Sequence, residues 1–196
     1  MQPLLSLRQR LARARQQRLD ARDERTQWLQ WFLLVGLRPR EAWSHPDPAG
    51  LIPLWPPVDT FWADPFAWSM EGRRFIFLEE YPFHTWRGRI SVLDLGADLR
   101  PLGPAQPVLD EDRHLSYPFL FEFEDELYMV PEAAVSRRVD LYRCQSFPYH
   151  WTRVGTLIDG LQVADATLFA HGGRWWLFCS GRQGRARLNN SLLAFH

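Results

Sequence analysis

The hydrophobic and polar positions divide the chain into two textures. Leu4, Leu7 and Leu11 recur at helical spacing, Ala14, Arg18 and Arg22 continue that line, and Arg8, Arg10, Arg13 and Arg15 cover the other faces. No Pro or Gly interrupts Leu4 to Gln30, so the pattern predicts a helical arm over residues 1–30. After Gly50 the period changes. Short aromatic and β-branched runs alternate with Pro and Gly, which predicts strands joined by tight turns.

Three segments of this second part align without gaps: Phe61 to Glu80, His114 to Ala133, and Gln162 to Gly181. Asp64, Tyr117 and Asp165 take equivalent places, at steps of 53 and 48 residues. Each segment reads as a hairpin closed by a two-residue loop: Glu71-Gly72, Glu124-Asp125 and Gly172-Gly173. Such loops fix the register, which sets Asp64 opposite Glu79, Tyr117 opposite Glu132 and Asp165 opposite Ser180. Third strands are expected at Arg89–Leu93, Val139–Cys144 and Ser191–Phe195. Fourth strands are expected near Gln106–Leu109 and Thr152–Ile158.

Four antiparallel strands per unit at this pitch predict β-propeller blades. The expected fold is all-β, a partial propeller of about three blades within residues 31–196, behind the arm of residues 1–30. The blades fall near 58–110, 111–160 and 161–196. The third stops after its third strand, and a propeller closes with four blades or more. Either Trp31–Leu37 belongs to another partial blade, or the chain is the front of a longer protein; the end inside a strand favours the second.

Composition narrows the chemistry. All 23 basic residues are Arg, balanced by 23 acids. The lack of Lys excludes a P-loop lysine and a Schiff-base lysine. A net charge of zero argues against nucleic acid as a partner. Residues 1–27 hold seven Arg against Asp20, Asp23 and Glu24, so the arm could lie on an anionic membrane surface. The acids interrupt its basic face, and a solvated helix fits better. Trp31 to Leu37 is too short to span a bilayer and is set too far from Met1 to be a signal peptide. Cys144 and Cys179 could pair, but two buried thiols in a reducing compartment fit better, so a cytoplasmic protein is the default. The six histidines lack metal-ligand spacing, and no phosphate loop or nucleophile elbow occurs. No metal and no cofactor is expected.

The first strand of each blade lines a propeller's channel, so Asp64, Tyr117 and Asp165 should converge there, with Glu79 and Glu132 as cross-strand neighbours. Two carboxyls so close cannot both ionise freely, which suits a general acid beside a base. Asp64, Glu79 and Asp165 are therefore the candidate catalytic residues. Glu80, His84, His114, Tyr117 and Glu132 are the candidate substrate contacts. Trp62, Tyr81, Trp86 and Tyr117 supply rings for stacking on sugars. The competing reading is that repeated residues at repeated positions solve the same packing problem in every blade.

Several motifs carry a family resemblance: Phe61-Trp62-Ala63-Asp64-Pro65-Phe66 with Phe77-Leu78-Glu79-Glu80-Tyr81; His114-Leu115-Ser116-Tyr117-Pro118; Pro131-Glu132; Leu141-Tyr142-Arg143; and Phe147-Pro148 with Trp151. Together they resemble the N-terminal domain of glucosamine inositolphosphorylceramide transferase and its bacterial relatives. The resemblance covers about residues 28–196. It implies a five-bladed propeller similar to the furanosidase-type glycoside hydrolases. It also implies that glycosyl transfer belongs to a separate C-terminal domain. Those hydrolases use an Asp of blade one, an Asp of blade two and a Glu of blade three. Asp64 matches the first, whereas Tyr117 and Asp165 stand at the other two.

Three functions follow as expectations. The leading one is a carbohydrate-associated module of glycoconjugate biosynthesis, binding a sugar or nucleotide-sugar at the channel mouth. The second is an active glycoside hydrolase. The third is a non-enzymatic scaffold for a neighbouring transferase domain.

Overall fold

The computed structural model describes residues 29–38, 47–181 and 190–196. Apart from its last two residues, the helical arm expected over 1–30 lies outside the described residues. The described part is all-β and antiparallel, with one short 3-10 turn at Ala134–Ser136. Strands β1 (Leu33–Val35) and β2 (Ile52–Leu54) pair with each other, so Trp31–Leu37 does contribute a strand.

Three sheets follow in chain order. The first, blade 1, is β3 (Thr60–Met70), β4 (Arg73–Pro82), β5 (Arg89–Leu95) and β6 (Gln106–Leu109). Blade 2 is β7 (Ser116–Phe123), β8 (Glu126–Glu132), β9 (Arg138–Ser146) and β10 (His150–Asp159). Blade 3 is β11 (Ala164–His171), β12 (Arg174–Gly181) and β13 (Ser191–Phe195). Each is a meander in which sequence neighbours are also sheet neighbours.

The hairpin turns explain why these segments fold back where they do. Both central residues of each turn have positive φ: Glu71 51° and Gly72 76°, Glu124 51° and Asp125 61°, Gly172 60° and Gly173 73°. That is the I′ geometry, whose twist matches the strands it joins. Glu124-Asp125 adopts it without glycine, so two side chains bear the steric cost that Glu71 alone bears in the first turn and none bears in the third.

The inner strands depart from the expected register. Ala63 pairs with Glu79, Ser116 with Glu132 and Ala164 with Ser180, one residue short of Asp64, Tyr117 and Asp165. The turns do fix the register next to the loop, from Met70↔Arg73 to Phe66↔Phe77 in blade 1. Then a β-bulge inserts one extra residue, at the same place in all three blades. The inserted residues are Asp64 (φ 48°), Tyr117 (φ 44°) and Asp165 (φ 56°), all left-handed. Loop length alone could not reveal them.

The blades pack face to face through apolar clusters. Phe75, Phe77, Ile90 and Val92 of blade 1 meet Leu120, Met129 and Tyr142 of blade 2, with Phe147 and Trp151 packed against them. Val130 and Val139 of blade 2 meet Ala166, Leu177 and Cys179 of blade 3. On the other side of blade 1, Ile76, Leu78 and Leu93 pack with Trp62 and with Leu33 and Leu54 of the β1–β2 pair. Both cysteines are free, Cys179 buried and Cys144 half-buried.

One buried polar cluster fastens the segment between blades 1 and 2. Asp140, 2% exposed, accepts bonds from Arg113, Arg138 and Thr156 and is paired with Arg153. Arg113 also donates to Tyr142 and Ser136 and pairs with Glu111.

Candidate functional site

The bulges decide the site. A left-handed residue in a strand turns its N–H out of the ladder, leaving a donor for another partner. The Tyr117 N–H donates to Asp64 Oδ2 across the blade 1–2 junction (3.2 Å). The Asp165 N–H donates to Glu132 Oε2 across the blade 2–3 junction (3.1 Å). Each junction is thus stitched by a carboxyl of one blade on the bulge of the next. The Tyr117 hydroxyl shares a bond with the Thr167 hydroxyl of blade 3 (2.9 Å).

These contacts gather Asp64, Glu79, Glu132 and Asp165 with His114 and Tyr117. Burial pushes the Glu79 carboxyl up to about 8, and the Asp64 and Glu132 charges add to it. Burial likewise raises Glu132 to about 7 against the lowering effect of the Asp165 N–H, with the Asp165 and Asp64 charges contributing. Asp64 is raised by burial and by the Asp165 charge, while the Tyr117 N–H and His114 pull it down. Tyr81, beside Glu79, is raised by burial and by that carboxyl. Close to neutral pH the cluster therefore holds protonated and ionised carboxyls side by side.

His114 completes it. Its Nδ1 accepts the Gly88 N–H (2.9 Å), which leaves the ring proton on Nε2. Nε2 lies 3.5 Å from Glu79 Oε1. Burial lowers the histidine's pKa, despite the Asp64 charge, and keeps it neutral. The close approach depends on Gly88, where a Cβ would stand 2.6 Å from Glu79 Oε1 and 2.8 Å from His114 Cε1. Tyr81 stacks on Phe61 (4.6 Å between centroids) and lies 5.9 Å from the His114 ring. Gly88 and Phe61 were not candidates in the sequence. Phe61 opens the first aligned segment, but nothing in the sequence marks Gly88.

Not every candidate joins. Glu80 points the other way along β4 and is held by Arg89 (3.0 Å) and Ser91 (2.7 Å). His84 sits exposed in the β4–β5 connection. Trp62 is buried at 5% exposure among Ile76, Leu78 and Leu93, not presented for stacking. Trp86 is exposed in the same connection as His84. Among the described residues no Arg pairs with the acid cluster, and no group of His, Cys, Asp and Glu is arranged to hold a metal ion.

The arrangement can be set beside known proteins. The α-L-arabinofuranosidase from Lactobacillus brevis superposes with a TM-score of 0.58, covering 76% of this chain and 57% of the enzyme at 9% identity. At that identity the likeness speaks for the fold alone. Glucosamine inositolphosphorylceramide transferase 1 of Oryza sativa subsp. japonica is 43% identical over 123 residues, 61% of this chain and 16% of the rice protein. The Arabidopsis thaliana protein of the same name is 32% identical over 177 residues, 83% of this chain and 22% of its own length. The chain thus spans about a fifth or less of these plant relatives. No helix among the described residues is long and apolar enough to cross a membrane. The bulged hairpins that build the acid cluster all lie within residues 56–196, the part that matches the family described as glucosamine inositolphosphorylceramide transferase 1, N-terminal, and to that family this chain belongs.

Proposed function

We propose that this chain is a carbohydrate-recognition module of glycoconjugate biosynthesis, and that the acid cluster binds a sugar moiety. The observation that carries this reading is the mixture of protonation states beside a neutral His114. A sugar hydroxyl both donates and accepts. An ionised carboxylate only accepts, a protonated one does both, and the His114 Nε2–H donates. Glu79, Glu132, Asp64 and His114 together offer all of these, and Asp165 and Tyr117 extend the surface. Tyr81 and Phe61 provide a ring face at the edge. A diphosphate would meet carboxyls that pair with no Arg among the described residues, so the sugar itself is the favoured part of any nucleotide-sugar.

Calorimetric titration with neutral sugars and with nucleotide-sugars tests this, with Asp64→Asn as control. Saturable heat with neutral sugars, abolished in Asp64→Asn, is the expected result. Absence of heat with every ligand would leave the scaffold role, in which the module orders a neighbouring transferase domain.

A second reading rests on Glu79. A carboxyl protonated near neutral pH beside Asp64 has the makings of a general acid and its partner, as glycoside hydrolysis needs. Turnover of aryl glycosides, lost in both Glu79→Gln and Asp64→Asn, would support it. No turnover by the native chain would dismiss it for this protein by itself.

A further inference from the structure

The connections that follow the second strands of blades 1 and 2 each contain one left-handed residue, and they use its side chain differently. Arg137 (φ 56°) follows the turn at Ala134–Ser136, and its Nε donates to the Gly160 carbonyl (3.0 Å), fastening the segment that enters blade 3. Trp86 (φ 54°) stands within residues 83–88 of blade 1 and is 68% exposed. A positive φ is a steric outlier for so bulky a side chain. Among the described residues, Trp86 is the one large exposed apolar side chain carried on such a backbone.

The surrounding chain holds that turn in place. The Phe83 N–H donates to the Asp59 carbonyl (2.8 Å). The Thr85 N–H (3.1 Å) and hydroxyl (2.9 Å) both donate to the Pro82 carbonyl, and the Arg87 N–H donates to the Thr85 hydroxyl (3.3 Å). Arg87 pairs with Asp110 (3.1 Å). A strained backbone persists only where its surroundings over-determine it, and such places cluster at ligand clamps. The turn meets the acid cluster at both ends. From His114 the rings of Tyr81, Phe61 and Phe83 follow one another at 5.9, 4.6 and 6.2 Å and lead into it. At the other end the Gly88 N–H donates to His114 Nδ1, and a Cβ there would stand 2.6 Å from Glu79 Oε1. Trp86 is two residues from Gly88, so its Cα lies within about 12 Å of the Glu79 carboxyl.

We propose that Trp86 is the platform of a second sugar subsite: with one ring of the ligand in the acid cluster, the next ring of an oligosaccharide stacks on the indole. The inference rests on the sugar-binding reading of the cluster and narrows its ligand to a disaccharide or longer chain. Two linked pyranose rings cover the span from Glu79 to Trp86. The wide, rigid indole offers contact area with few torsions to freeze. The strained turn fixes the ring before the ligand arrives, so its ordering is not charged against binding. Arg137 shows the same backbone device serving the fold, where its side chain has a carbonyl to hold.

The test is calorimetric titration of the 196-residue protein with glucose, galactose and mannose against cellobiose, lactose and mannobiose. A disaccharide should bind about tenfold more tightly than its parent monosaccharide. Trp86→Gly should erase that advantage and leave the monosaccharide affinity as it was, whereas Trp86→Phe, which keeps a ring, should retain most of it. Thermal unfolding supplies the second readout. Glycine relieves the left-handed backbone, so the Tm of Trp86→Gly should hold or rise. A Tm lowered by more than about 4 °C would show a ring that serves packing, and overturns the proposal. Equal affinity for monosaccharide and disaccharide, or an advantage that survives Trp86→Gly, overturns it as well and leaves the acid cluster standing. No heat from any of these sugars removes the reading of the cluster itself, and the second subsite with it.

Discussion

Asp140 and Glu79 are both buried acids, and their surroundings are opposites. Asp140 is surrounded by Arg113, Arg138 and Arg153 and by the Thr156 hydroxyl. Burial works against its charge, but these partners prevail and hold its carboxyl below the usual range. Glu79 is nearly as inaccessible, yet its neighbours are other carboxyls and a neutral histidine, and it is pushed up to about 8. The comparison separates a buried acid ringed by cations from one set among other carboxyls. A buried charge with a full set of partners fastens the fold, whereas a buried carboxyl without cations stores a cost that a ligand can relieve.

The largest expected effect lies at the fastened site. Asp140→Ala strands three guanidinium groups and should cost about 3–5 kcal/mol in urea denaturation. A loss under about 1 kcal/mol would make this cluster no different from a surface ion pair and would break the comparison. The next effect comes from Gly88→Ala, which drives a methyl into Glu79, His114 and the Leu115 carbonyl. Such overpacking costs about 1–3 kcal/mol, read in the same assay. It should also move the His114 ring signals in an NMR spectrum, which Asp140→Ala leaves in place.

The two sites also predict opposite pH limbs. Glu79 is raised in the folded state from an ordinary value of 4.5 to about 8. The folded chain therefore binds the proton that the unfolded chain has lost, so the Glu79 contribution to stability is greatest at low pH and falls as pH rises from about 4.5 through about 8. Glu79→Gln removes that fall. Its Tm at pH 8 should exceed the native value by about 3 °C, and the gain should vanish near pH 4. Asp140 has the reverse sign: its contribution is present above the ordinary Asp value of 3.8 and is lost as pH falls through its lowered folded value. A native stability profile without a decline above neutral pH would contradict the protonated Glu79.

The smallest effect is the most local. Asp64→Asn removes one of the charges that raise Glu79. The Glu79 carboxyl should then titrate lower in a carbon-detected NMR titration, with little change in stability. Glu80→Gln is the matched control on the other face of β4, because its bonds to Arg89 and Ser91 take it away from the cluster. A Glu79 titration that moved equally in both variants would mean that the coupling is not local.

Much of the architecture was legible in the sequence. The hairpin repeat located β6 at Gln106–Leu109 and β13 at Ser191–Phe195, because two-residue turns and alternating side chains are local properties. Asp64, Glu79, His114, Tyr117, Glu132 and Asp165 were likewise marked by their recurrence at equivalent positions or by lying beside them. The register at Asp64 was not legible: turn length sets Asp64 opposite Glu79, whereas Ala63 takes that place. The bulge that displaces it is a change in backbone conformation, and neither an Asp before Pro65 nor a Tyr before Pro118 announces a positive φ. Glu79 and Glu80 show the same limit. Adjacent in sequence and identical in type, they face opposite sides of one strand, and only the Arg89 and Ser91 side chains from β5 reveal which is neutralised.

The sequence by itself therefore determined the antiparallel hairpins, their repeat and the residues that recur in it, since periodicity and turn chemistry act within a few residues. The tertiary structure alone decided which acids meet no cation among the described residues, which N–H groups the bulges release, and where Phe147 packs. Those outcomes depend on groups some 30 to 70 positions apart meeting across blades: the Tyr117 N–H on Asp64, the Asp165 N–H on Glu132, and Phe147 on Phe75. Burial and charge are set by what arrives from the next blade, and no local pattern carries that information.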